Sequence, residues 1–175
     1  MVDKSRALDG ARLLDRLLID VIVGTRSLEV FEGRNRQTTI QPVVYHGMRR
    51  MCHSQTLLGL SKFLEFYDAY HDLIPKECKE HCRNIKKGIE AKKIYDFRSK
   101  YVAHLIDKST GRPLDLDLLD HYLGSIFGDD ERNFVRWVND QNRKFPETVV
   151  GVLERTRDSI MTDHTITKEE MNQWK

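Results

Sequence analysis

The sequence predicts an all-α protein, an antiparallel four-helix bundle with one or two additional C-terminal helices. Apolar residues recur at three- and four-residue spacing through several long segments, and no stretch alternates with period two for long enough to form a sheet. With 175 residues, 39% of them hydrophobic, the chain can bury a core without metal or disulfide bonds. We expect one bundle over residues 1–160 and a C-terminal tail over 161–175 that can form a short helix.

The first two helices are predicted from their apolar stripes and from the residues between them. A stripe over residues 11–28 indicates a helix of about 25 residues that ends near Gly33. Pro42 suits the first turn of the next helix, where its missing N–H costs nothing. The apolar positions of this second helix run over residues 44–67.

A third helix is predicted to begin at Pro75 and to end near Asp107. Residues 108–113 combine Gly, Pro and small polar residues and form the clearest loop of the chain. A shorter helix over residues 115–127 follows this loop, and Gly128 marks the next boundary.

The last part of the chain is predicted as helix over residues 131–160 with a break or kink at Pro146. The tail begins with Thr167, Lys168, Glu169 and Glu170, an order that fits a capping box. One final helical turn is therefore expected from Met171 to Trp174.

Charge is uneven along the chain, although the formal net charge is only +2. Residues 76–93 carry seven basic and three acidic side chains, whereas residues 114–131 carry six acidic side chains and no Lys or Arg. A basic surface favours a polyanion such as RNA. The alternative is that both segments are the solvated faces of amphipathic helices.

The three cysteines and the absence of a recognisable signal peptide favour a reducing compartment, and we expect a cytoplasmic protein. The most apolar stretch, residues 17–23, contains Asp20 and falls far short of the roughly 20 residues that a membrane span needs. No membrane partner is expected.

Arg98 and His104 are the candidate catalytic residues, because together these side chains can act on a phosphodiester. Arginine stays charged and forks onto phosphate oxygens, and histidine, with a pKa of about 6.5, can take and give a proton. On a helical wheel the two lie at opposite edges of one buried stripe, and their Cα atoms are about 9 Å apart along the axis. One chain therefore supplies half a site.

A twofold dimer packed along this helix would complete the site with two histidines and two arginines, and without a metal or another cofactor. The alternative is structural: His104 hydrogen-bonds near a helix end and Arg98 forms a salt bridge to a neighbouring helix.

The segment from Phe97 to His104 resembles the Arg-x(4–6)-His signature of the HEPN superfamily, particularly its abortive-infection AbiU-like branch. The resemblance implies a dimerising helical bundle and a metal-independent endoribonuclease of a toxin or phage-defence type. It further implies RNA as substrate and a cognate antitoxin or regulatory protein as partner. Arg98 would stabilise the phosphate and His104 would be the acid and base, with four supporting residues: Ser99, Lys100, Tyr101 and Asp107.

Other functions stay open. The same bundle can be a non-catalytic module that binds RNA, a nucleotide or a partner protein. A metal-binding bundle could use Cys78, His81 and Cys82, with Cys52 and His53 as a further ligand pair. Asp115 and Asp117 resemble the paired aspartates of nucleotidyltransferases, but helix capping explains them better because no strands are predicted to hold them.

Overall fold

The computed structural model describes residues 3–37, 40–99, 116–128 and 130–173. These residues form α-helices and no strand, which confirms the all-α class. No helix among them is both long and apolar enough to cross a membrane. The helices are α1 (Lys4–Gln37), α2 (Pro42–Tyr70), α3 (Lys76–Ala91), α4 (Ile94–Phe97), α5 (Leu116–Phe127), α6 (Glu131–Val138), α7 (Val149–Asp163) and α8 (Lys168–Asn172).

The predicted antiparallel four-helix bundle is confirmed and consists of α1, α2, α3 and α7. Polar contacts join the neighbouring helices: Lys62 to Asp20, Lys86 to Asp68, Cys82 to Thr156 and Arg157 to Asp15. Pairs of contacts in which the residue number rises in one helix and falls in the other show the antiparallel direction, as Glu77 to Ser159 and Cys82 to Thr156 do for α3 and α7. The described residues of these helices share an apolar core, to which α4, α5 and α6 also contribute.

Two glycines let α1 and α2 approach each other closely. A Cβ atom on Gly24 would lie 2.7 Å from the backbone nitrogen of Thr56 and 2.8 Å from the carbonyl oxygen of Cys52. A Cβ atom on Gly59 would lie 2.6 Å from a methyl group of Val21. The backbones therefore pass each other at a distance that no larger side chain permits.

The first helix is longer than the sequence predicted, because it continues past Gly33 to Gln37. Nothing lies within 4 Å of the position of a Cβ atom on Gly33. A helical glycine costs about 1 kcal/mol relative to alanine, which weakens a helix without having to end it.

The third predicted helix is two helices, and the prediction of one continuous helix from Pro75 towards Asp107 was wrong. The chain leaves α3 after Ala91, and Lys93 adopts a left-handed conformation with φ of 53° before α4 begins. Lys92 lies at this break, and its Nζ donates to the carbonyl oxygen of Ile126 at 2.9 Å, near the C-terminus of α5. A cation at that end satisfies an orphan carbonyl and suits the helix dipole.

The C-terminal region has the predicted break, since residues 139–148 separate α6 from α7 and the Phe145–Pro146 peptide bond is cis. The predicted capping box at Thr167 is also confirmed. The Thr167 hydroxyl accepts from the Glu170 backbone nitrogen, and the Glu170 carboxylate accepts from that of Thr167. Lys4 then binds the Glu170 carboxylate at 2.7 Å and ties α8 to α1.

Candidate functional site

Arg98 lies at the end of α4, on the border between the core and the solvent. The preceding Phe97 is buried, whereas the Arg98 side chain is 29% exposed, as the wheel predicted for this residue. Its guanidinium forms an ion pair with Glu65 of α2 and lies 5.6 Å from the centre of the Tyr95 ring. Arg98 therefore presents a fixed but accessible positive charge.

Ser99 follows Arg98 in a π-helical turn, and its hydroxyl donates to the carbonyl oxygen of Tyr95 at 3.1 Å. That hydrogen bond stabilises the turn on which Arg98 sits. The other residues predicted for this site lie outside the described residues: Lys100, Tyr101, His104 and Asp107.

A basic stripe lies on the outer face of α3. We use this name for Lys79, Arg83 and Lys87, which are spaced by four residues and so share one helix face. All three are exposed, and none forms an ion pair with another described residue. The opposite face of α3 is buried through Cys78, Cys82, Ile85 and Ile89. The basic surplus of the sequence is therefore partly a solvated face that is free to meet an anion.

The cysteines pack in the core. Cys82 lies 3.5 Å from the hydroxyl of Thr156, and burial raises its pKa to about 11. Burial also raises the pKa of Cys78. Among the described residues no three His, Cys, Asp or Glu side chains are grouped closely enough to hold a metal ion. The two thiols of α3 act there as small apolar side chains.

A second group of polar side chains was not recognised as a group from the sequence, which named only His53 among them, as a possible metal ligand. His46, Arg49, Arg50 and His53 follow each other on α2 at positions i, i+3, i+4 and i+7, a spacing that places them on one helix face. They line a cavity of about 370 Å³ together with residues of α5 and with Glu131, the first residue of α6. The signal was present in the sequence as His-x-x-Arg-Arg-x-x-His. We call the cavity that these residues line the α2 cavity.

The floor of the α2 cavity is polar and buried. The His53 side chain is 5% exposed, packs on the Phe127 ring at a centroid distance of 4.4 Å, and has its Nε2 atom 3.0 Å from Oε1 of Glu131. Burial, with a smaller contribution from the Arg49 cation, lowers the pKa of His53 to about 3. His53 is therefore neutral at pH 7, and its contact with Glu131 is not an ion pair. Arg49 is the residue that forms an ion pair with Glu131.

A larger groove of about 700 Å³ runs between α1 and α8. The guanidinium of Arg12 in this groove donates to the carbonyl oxygens of Glu170 and Gln173. These are carbonyls at the end of α8, so Arg12 acts as a cap for that helix.

Comparison with known proteins supports the fold. The solved structure of the integron cassette protein Vpc_cass2, from the mobile metagenome of V. paracholerae, is similar with a TM-score of 0.72 and 22% sequence identity. The similarity covers 91% of this chain and 98% of that chain. No protein-family model matches the chain, and no curated protein matches it. At this level of identity the likeness concerns the helical fold alone.

Proposed function

We propose that this protein is a metal-independent endoribonuclease that acts as a homodimer, with Arg98 and His104 of both subunits forming one site. The observation that carries the proposal is the environment of Arg98. The Arg98 side chain is 29% exposed, and among the described residues its guanidinium is held by one carboxylate, that of Glu65, which is 53% exposed. An exposed ion pair of this kind contributes only about 0–1 kcal/mol, so an RNA phosphate can replace the carboxylate at little cost.

The chemistry needs both subunits. Cleavage begins when a base removes the proton from the ribose 2′-hydroxyl and the oxygen attacks the adjacent phosphorus. An acid then protonates the 5′-oxygen as its bond to phosphorus breaks, which leaves a 2′,3′-cyclic phosphate and a 5′-hydroxyl. Two copies of His104 can serve as base and acid, and Arg98 can stabilise the charge that builds on the phosphate oxygens.

The basic stripe supports RNA as the substrate. Lys79, Arg83 and Lys87 span eight residues of α3, which corresponds to about 12 Å along the helix axis. A row of exposed cations over this length attracts a polyanion without regard to its sequence. The chain runs directly from the end of this helix through α4 to Arg98.

Dimerisation is supported by exposed apolar side chains. Tyr95, three residues before Arg98, is 45% exposed, and Ile19 and Val23 of α1 are 55% and 49% exposed. Ile19 and Val23 are four residues apart and so share one face of α1, and apolar side chains that form a patch are typical of protein interfaces. The dimer that the proposal requires is one in which the two copies of Arg98 and His104 face a common cleft.

The test is RNA cleavage in EDTA by the wild type and by three variants. We expect Arg98→Ala and His104→Ala each to reduce the cleavage rate by about a hundredfold or more, the usual effect of losing a general acid, a general base or a transition-state charge partner. The matched control is Glu65→Gln, which breaks the same ion pair but keeps the arginine. This variant should cleave RNA at least as fast as the wild type, because Arg98 no longer has a competing carboxylate.

The outcome that contradicts the proposal is wild-type cleavage that survives in Arg98→Ala or in His104→Ala. Equal losses in Glu65→Gln and Arg98→Ala would also contradict it, because they would assign the arginine to the ion pair and not to the reaction.

A non-catalytic module that binds RNA, a nucleotide or a partner protein is the second candidate. The ion pair between Arg98 and Glu65 favours it, because this contact alone gives the arginine a role in joining α4 to α2. For such a module Arg98→Ala and Glu65→Gln should lower the melting temperature or change the oligomeric state by similar amounts. The wild type should then cleave no RNA at any protein concentration.

A further inference from the structure

The α2 cavity has the features of a ligand site, and it differs from the site around Arg98. Its volume of about 370 Å³ falls within the range of pockets that hold small molecules. Its wall is formed by three helices, with the polar stripe of α2 facing Leu123 and Phe127 of α5 and Glu131 of α6. A cavity with apolar walls and a few convergent polar groups is typical of a small-molecule site.

Three polar atoms on the cavity floor are buried without a hydrogen bond to any described residue. They are Nε2 of His53, Oε1 of Glu131 and Nε of Arg49. The first two lie 3.0 Å apart, but their geometry is not that of a hydrogen bond. Leaving one buried donor or acceptor unsatisfied costs about 1–3 kcal/mol. Three such atoms at one cavity indicate a missing polar partner.

The mouth of the cavity carries a different set of groups. Arg50 is half-buried and forms no ion pair with another described residue, and His46 is exposed beside it. Arg49 is neutralised by Glu131, so among the described residues that line the cavity Arg50 is the arginine available to a ligand. An arginine of this kind binds a phosphate through two parallel hydrogen bonds.

We propose that the α2 cavity binds a sugar phosphate, with the phosphate monoester on Arg50 and a sugar hydroxyl on Glu131 and His53. The hydroxyl donates to Oε1 of Glu131 and accepts from Nε2 of His53, which satisfies both orphaned atoms at once. Inorganic phosphate has a P–OH group but no separate sugar hydroxyl, so one ion would have to serve Arg50 and the Glu131–His53 pair at once, with its negative charge against the Glu131 carboxylate. The cavity therefore selects a phosphate that carries a hydroxylated group. The acidic Asp120 at the rim disfavours a second phosphate.

Calorimetric titration of the full chain tests the proposal, with ribose 5-phosphate, inorganic phosphate and ribose as probes. We expect ribose 5-phosphate to bind at least about tenfold more tightly than either of the other two, which is about 1.4 kcal/mol. Arg50→Gln should raise the dissociation constant of ribose 5-phosphate by about tenfold or more. The control is Arg155→Gln, which removes an exposed arginine of α7 and should leave the dissociation constant unchanged.

Glu131→Gln separates the two halves of the site. This variant keeps the size of the side chain but weakens the acceptor, so the preference for ribose 5-phosphate over inorganic phosphate should fall towards one. Because Arg50 takes no part in the core, its variant should keep the wild-type melting temperature and the test does not depend on Glu131→Gln folding. Equal affinities for ribose 5-phosphate in the wild type and in Arg50→Gln, or no preference over inorganic phosphate in the wild type, would overturn the proposal.

A sugar phosphate can be a free nucleotide or the 5′ end of an RNA chain. Adenosine 5′-monophosphate and a 5′-phosphorylated trinucleotide distinguish these sources. Binding of the mononucleotide alone assigns a free ligand, and binding of both assigns a site open to RNA ends. Arg50-independent binding of either compound would count against the site.

Discussion

The close approach of α1 and α2 at Gly24 makes a prediction that can be tested without any knowledge of function. We consider Gly24→Ala, which adds one methyl group to α1 where it crosses α2. The added Cβ would lie 2.3 Å from the hydroxyl of Thr56 and less than 3 Å from two backbone atoms of α2. The hydroxyl can rotate away, but the backbone atoms cannot move unless the helices separate.

The size of the effect follows from two opposing contributions. Overpacking a close-packed core costs about 1–3 kcal/mol, and contacts with backbone place Gly24→Ala at the upper end of that range. Replacing a helical glycine by alanine stabilises the helix by about 1 kcal/mol, because alanine has the higher helix propensity. We therefore expect a net loss of about 2 kcal/mol in the free energy of unfolding.

The matched control is Gly33→Ala in the same helix, where nothing lies within 4 Å of the new methyl group. This variant keeps the propensity gain without the packing cost, so it should be more stable than the wild type by about 1 kcal/mol. Urea unfolding followed by circular dichroism measures both values, and the difference of about 3 kcal/mol between the variants is the packing cost. A Gly24→Ala protein as stable as Gly33→Ala would refute the close approach.

Two further predictions concern charge. The pKa of His53 is about 3 in the folded protein, below its usual value, so between pH 6.5 and pH 5 the unfolded chain takes up a proton at His53 that the folded protein does not. The free energy of unfolding should therefore decrease as the pH is lowered from 6.5 to 5, by up to about 1.4 kcal/mol per pH unit from this residue. Urea titrations of His53→Gln at several pH values should show a weaker dependence of the free energy of unfolding on pH. The second is that replacing Lys79, Arg83 and Lys87 together by alanine should reduce the salt dependence of single-stranded RNA binding by about two units of the log–log slope, as measured by titration at several salt concentrations. An unchanged slope would place the RNA elsewhere on the surface.

The helices were predictable from sequence because each depends on local spacing. The stripes of α1 and α2, the proline in the first turn of α2, and the capping box at Thr167 all involve residues within a few positions of each other. The break after Ala91 was not predictable in this way. At this break Lys92 donates to a carbonyl oxygen of α5, which lies 34 residues further along the chain, and local spacing does not reveal such a contact.

The candidate sites also have features that the sequence determines and features that only the tertiary structure decides. Sequence alone determined that Arg98 follows a buried apolar stripe, and the wheel placed it at the border of that stripe because helix geometry fixes the angle between neighbouring residues. Only the tertiary structure decided that Glu65 meets Arg98 and that Glu131 comes within 3.0 Å of His53, 78 positions away. Helical periodicity determines which face a side chain occupies. The packing of helices that are distant in sequence decides which other face that side chain meets and which polar atoms are left unsatisfied there.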